Sequence, residues 1–163
     1  MNWSNRMKAE IFFLKYAFPC SFILRQRGEI SEVQLKELEK AAMSNKALPK
    51  EVLERIYFRA FEKIKPIAQE MKKGRWDLKV LKEYFLVRHN HVIEQGMYAY
   101  AKAPETLKEL CKVQRGRVTD IKKDALIVEY GRGKRRPVLK AMVPDAKVGD
   151  RVMIHYGYAV EKA

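Results

Sequence analysis

The chain has 163 residues, 47% of them hydrophobic, which is enough for a folded core in one domain or two small ones. Its formal net charge of +14 favours phosphate backbones, anionic membranes or acidic proteins as partners without choosing among them. Two cysteines, Cys20 and Cys111, lie far apart with no CxxC pair, which argues against a disulfide framework and a zinc site of the usual spacing and fits a reducing cytoplasm.

Charged residues make up 33% of the chain, a richness often met in proteins from hot environments, so a thermophilic source is expected. Lys+Arg minus Asp+Glu is 21 − 14 = +7 for residues 1 to 110 and 13 − 6 = +7 for residues 111 to 163. The shorter tail is therefore the more basic per residue.

From Asn5 to Phe18 the apolar residues Met7, Ile11, Leu14 and Phe18 recur at helical spacing, and Pro19 ends that helix. The surrounding run IFFLKYAFPCSFIL is interrupted by Lys15 and Pro19 and is too short to span a bilayer, so no membrane span is expected. It reads as a buried helix and the turn after it, with Cys20 buried. In ISEVQLKELEKAAMSN, Ser31 and Gln34 form a capping box, and Ile30 is placed to staple against Leu35. Pro49 opens a third helix through Val52, Leu53, Ile56, Phe61 and Ile64, which Pro66 should kink or end, and Gly74 closes any helical stretch beyond that proline. Asp77 caps a fourth helix through Leu78, Leu81, Tyr84, Phe85 and about Val92. On that helix His89 and His91 face different ways and belong to a polar face.

Residues 1–103 thus read as an all-helical bundle. AKAPETLKELC is a connector with a short helical turn, and beyond Cys111 the apolar period becomes two in GRVTDI, ALIVEY, RRPVLKAMV and RVMIHY. Turn residues separate these runs at Lys122 to Asp124, Gly131 to Lys134 and Pro144 to Asp150. Four or five short strands in some fifty residues bury their edges by curling into a small OB-like β-barrel, residues 104–163. The fold class is therefore α+β in two domains.

In the tail, Cys111 precedes Gly116-Arg117-Val118, a Val143-Pro144-Asp145-x-x-Val148-Gly149-Asp150 turn comes next, and a strand ends in His155-x-Gly157-x-Ala159. This arrangement resembles the HypC/HupF family of hydrogenase maturation chaperones over the C-terminal third. The turn alone says barrel, because Gly supplies positive φ and Asp caps the turn. The cysteine upstream and the histidine downstream make the likeness specific. The resemblance implies that Cys111 and His155 hold an iron centre and pass it, with a HypD-like partner, toward a hydrogenase large-subunit precursor. A thiolate and a neutral imidazole suit low-spin iron, and two protein ligands leave positions open for transfer. If Val152 and Ile154 point inward, His155 lies on the outer face or rim, where a ligand can reach it.

The chain departs from the family in three ways. The family cysteine follows the initiator methionine, whereas Cys111 is internal. Arg115 stands where the family has proline, and the helical domain has no counterpart in the short members. No set of nucleophile, base and orienting group can be assembled, so no enzyme is expected. Two other readings stay open. One is a nucleic-acid-binding module built on the basic hairpin GRGKRRP with Arg132, Lys134, Arg135 and Arg136 and nearby tyrosines. The other is a protein interaction module that has lost metal binding.

Overall fold

The computed structural model describes residues 7–96 and 102–163; Asn5, the expected start of the first helix, lies outside them. Two compact units are present, 1–84 and 85–163. The division falls ahead of the boundary after residue 103 drawn from sequence, so the helical stretch from Phe85 goes with the barrel. The fold class is α+β as expected.

In the first unit, α1 (Ala9–Ala17) is followed by a 3₁₀ turn (Phe18–Cys20), with α2 (Ser21–Gln26), α3 (Glu32–Met43), α4 (Lys50–Ile56), α5 (Phe58–Met71) and α6 (Leu78–Glu83) after it. Every residue from Phe12 to Ala17 is buried. A helix buried all round is central, so α1 is the pillar of the unit rather than the one-faced helix its spacing suggested. Phe13 is the centre of an aromatic cluster, with ring centroids 5.4 Å from Tyr57, 5.0 Å from Phe61 and 5.5 Å from Trp76. Fully buried aromatics of this kind contribute roughly 1.5–3 kcal/mol each by area alone.

The start signals hold. Ser31 Oγ accepts from the Gln34 amide at 3.1 Å while Gln34 Oε1 accepts from the Ser31 amide at 2.8 Å, and the stapling pair Ile30 and Leu35 is buried. Asp77 Oδ1 accepts from the Lys79 amide at 2.8 Å. Two other expectations are corrected. Pro19 ends α1, but the chain re-enters a helix at Ser21 instead of a turn. Pro66 neither ends nor splits α5, and the break falls at Tyr57, whose φ of −102° and ψ of 40° leave the helical region. An interior proline costs about 3 kcal/mol, and burial of Phe61, Ile64, Ile67 and Ala68 on one face of α5 outweighs that.

The second unit opens on helical residues, α7 (His89–Glu94) and α8 (Glu105–Cys111), and a five-residue π turn, Tyr84–Arg88, spans the division between the units. The five strands are β1 (Gln114–Ile121), β2 (Ala125–Tyr130), β3 (Lys134–Leu139), β4 (Arg151–His155) and β5 (Tyr158–Lys162). They close into a barrel in the order β1-β2-β3-β5-β4. Four or five strands were expected and five are present; β3 ends at Leu139, short of the expected RRPVLKAMV run. The interior is filled by Val118, Leu126, Val128, Val138, Val152, Ile154 and Ala159, among others. The weakest seam is the parallel β3–β5 contact, which pairs only Leu139 with Tyr158. Pro137 fits β3 because that edge of the strand has few ladder partners to satisfy.

The motif glycines have structural reasons. Gly149 takes φ +94° in the turn before β4, where Asp150 Oδ2 accepts from the Lys147 amide at 2.9 Å. Gly116 has no room for a side chain, because a Cβ there would meet Val128 Cγ1 at 2.3 Å and the Glu129 carbonyl at 2.9 Å.

Stability should respond at two of these places. Gly116→Ala pushes β1 off β2 and is expected to cost about 1–3 kcal/mol in urea unfolding; an unchanged midpoint would contradict the close approach. Glu54 accepts from Arg75 Nε at 2.7 Å and from Trp76 Nε1 at 2.7 Å, and the Arg75 guanidinium holds its carboxyl below the ordinary value against the opposing effect of burial. A depressed folded pKa gives stability that is present above about pH 4.5 and lost as pH falls through the lower folded value. Glu54→Gln should therefore cost about 0.5–1 kcal/mol at pH 7, with the difference from the parent protein shrinking below pH 4.5 in a pH series of unfolding curves.

Candidate functional site

Cys111 is the last residue of α8, and Lys112 then turns to extended backbone at φ −69° and ψ 141° to feed β1. His155 is the last residue of β4, at the opposite end of the tail in sequence. The Tyr156 amide donates to the Leu110 carbonyl at 2.9 Å. That bond, together with the β1–β4 pairing of Gln114 opposite Ile154, joins the two segments. Covalent geometry on either side of it places the Cα atoms of Cys111 and His155 within roughly 8 Å of each other.

Alternation along β4 sends Val152 and Ile154 into the barrel and turns His155 away from it, as the sequence indicated. The expectation that this leaves His155 within reach of a ligand is corrected: His155 is 0% exposed, and so is Cys111. The outer face of β4 is covered there. His89, at the start of α7, places its ring 5.2 Å from that of His155 at an interplanar angle of 84°, and Phe85 lies 6.4 Å from His89. Asn90, the next residue, clamps both backbone groups of Val113: its Nδ2 donates to the carbonyl at 2.7 Å and its Oδ1 accepts from the amide at 2.8 Å.

Sequence reasoning assigned His89 to a polar helix face and missed this role. A signal was present, because Leu81, Phe85 and His89 fall four apart on one stripe of the helix, with His91 on another. His91 is exposed and Glu94 pairs with Lys112 at 3.4 Å. Among the described residues no group of three or more His, Cys, Asp or Glu side chains could hold a metal ion together. A metal held by Cys111 and His155 would take one sulfur and one nitrogen donor from these two residues.

The turn after His155 is strained. Tyr156 sits at φ +56°, a region that a residue with a side chain rarely adopts, and the following Gly157 does not take it instead. Both backbone groups of Tyr156 are held, the amide by Leu110 and the carbonyl by Arg136 Nη2 at 3.0 Å. Strain persists where the surroundings over-determine a conformation, and here it lies next to His155.

The four basic hairpin residues do not act as one patch. Lys134 Nζ pairs with Glu109 Oε1 at 3.2 Å and Arg135 Nε with Glu129 Oε2 at 3.2 Å. Burial pushes the Glu109 carboxyl up, but bonds from Lys134 and Gln114 outweigh it and hold the group below its ordinary value. Arg136 lies 4.9 Å over the Tyr130 ring and bridges β3 to the β4–β5 turn across the weak seam. Arg132 remains at the exposed hairpin tip. In the first unit Cys20 is half-buried rather than buried, and neither cysteine is in a disulfide.

Residues 114–163 match the sequence profile of the HupF/HypC family, the C-terminal third of the chain. The match contains His155 and begins three residues after Cys111. No curated protein matches the chain. No helix among the described residues is long and apolar enough to cross a membrane.

Arg136→Met keeps the stem over Tyr130 but removes the donor to the Tyr156 carbonyl. It is expected to cost about 1–2 kcal/mol and to speed amide hydrogen exchange at Leu139, whose amide donates to Gly157 across the same seam at 2.8 Å. Unchanged exchange there would mean that Arg136 does not hold the seam.

Proposed function

We propose that this protein is an accessory chaperone of the hydrogenase-maturation type, in which Cys111 and His155 bind an iron centre and hand it on to a partner protein. The observation that supports the reading is the backbone bond between Leu110 and Tyr156, which brings the backbones at Cys111 and His155 close together in a barrel whose sequence matches the HupF/HypC family. Iron is cargo in this reading. The thiolate supplies a soft, electron-rich ligand and the imidazole a second anchor, while the remaining positions stay with ligands that travel with the metal. Two protein ligands hold a metal loosely enough to release it, which a carrier requires and an enzyme's resident site does not.

A HypD-like protein or a hydrogenase large-subunit precursor is the partner implied by the family, and the site of action would be the cytoplasm. The helical first unit supplies a docking surface that a lone barrel lacks. The nucleic-acid reading draws less support, because Lys134 and Arg135 are matched by carboxylates and Arg136 is engaged in holding the barrel together. A salt-dependent affinity for single strands that falls on Arg132→Ala would revive it.

The test is iron retention under anaerobic conditions. The parent protein, loaded with ferrous iron and desalted, should keep about one iron per chain, whereas Cys111→Ala and His155→Ala should each lose most of it. Equal retention by all three proteins would remove the site.

A further inference from the structure

With Cys111 and His155 each 0% exposed, iron cannot reach either donor while the surrounding fold stays as it stands. His155 faces away from the barrel interior, so its cover comes from outside the barrel wall. The ring of His89 stands there, edge-on at 5.2 Å. The segment carrying His89 is held against the Cys111 side by separate small contacts. Asn90 clamps Val113, two residues beyond Cys111, and Glu94 pairs with Lys112, the residue next to it. The segment is entered through the π turn Tyr84–Arg88, a pattern that is rare in helices and frequent at functional positions.

We infer that residues 85–94 form a lid over the Cys111/His155 pair, with His89 as its gate, an autoinhibitory contact that iron must displace to reach His155. The inference rests on the proposed cargo site. Phe85 and Ile93 bury apolar side chains within the segment. The polar contacts that tie it to the Cys111 side include two neutral hydrogen bonds and one partly exposed ion pair, each weak by itself, so loss of the Asn90 clamp lets the lid open locally without unfolding the barrel. The sign of the effect separates the gate from other roles. A gate, once removed, lets iron in faster. A ligand, once removed, loses iron. Plain packing leaves iron uptake where it was.

The test uses the full chain and iodoacetamide, with peptide mass spectrometry scoring Cys111 separately from Cys20. Asn90→Ala removes both clamp bonds and should speed labelling of Cys111 by roughly tenfold while Cys20 keeps its rate. His89→Ala should speed labelling likewise and raise the initial rate of ferrous iron uptake several-fold. Labelling of Cys111 at the parent rate in both variants would overturn the lid, as would Cys111 and Cys20 accelerating together, and iron uptake that falls in His89→Ala would overturn the gate. Should a variant lose its cooperative melt, hydrogen exchange in the parent protein decides: amides of α7 exchanging faster than those of β4 support the lid, and equal rates refute it. Labelling needs no metal, so a parent protein that never retains iron sinks the cargo site and leaves the labelling result standing.

Discussion

A single backbone hydrogen bond, from the Tyr156 amide to the Leu110 carbonyl, makes the tail of this protein more than a small barrel. It ties the end of α8 to the turn after β4, two stretches forty-six residues apart by their numbers, 156 − 110. It continues the β1–β4 pairing, in which Gln114 lies opposite Ile154, past the end of the ladder and so holds the end of α8 beside the strand end that carries His155. The geometry around the bond is held from several sides. Arg136 takes the Tyr156 carbonyl, Asn90 takes both backbone groups of Val113, and Tyr156 is kept in a left-handed conformation that its side chain disfavours. Of these bonds, the one from Arg136 also stitches the seam where the barrel's ladder is thinnest.

The barrel and its helical cover act on the donors in opposite ways. The barrel brings the backbones at Cys111 and His155 close together, and in the proposed arrangement the segment from Phe85 to Glu94 closes over the imidazole. A thiol in a short, open chain is free to swing; here Cys111 is preceded by a helical domain and a helix, and both donors are shut away from solvent. Sealing protects a soft, oxidisable ligand pair when no cargo is bound. The cost is access, and a cover tied to the Cys111 side in part by separable polar contacts eases that conflict.

Much of the architecture could be read from the residues because its signals are local. The capping box at Ser31 and Gln34, the cap at Asp77, and the switch of apolar period after Cys111 all act within a few residues of chain. The features that escaped the sequence depended on tertiary balance. Pro66 should break α5, but four buried apolar side chains keep that helix intact and Tyr57 takes the break instead. His155 was expected on the outer face of β4 within reach of a ligand, yet it is fully buried with the His89 ring beside it, and the π turn that leads into α7 leaves no mark in the sequence that periodicity detects. Gly116 and Gly149 were legible as motif residues, and the structure gives their reasons as close strand approach and positive φ.

Joint retention of one iron by Cys111 and His155 is the claim on which the proposed function turns. X-ray absorption at the iron K-edge of the loaded protein tests it most directly. Joint ligation predicts one sulfur scatterer at about 2.3 Å together with an imidazole nitrogen at about 2.0–2.1 Å, the sulfur vanishing in Cys111→Ser and the imidazole pattern in His155→Ala. A first shell of oxygen and nitrogen alone, identical in all three proteins, would contradict it.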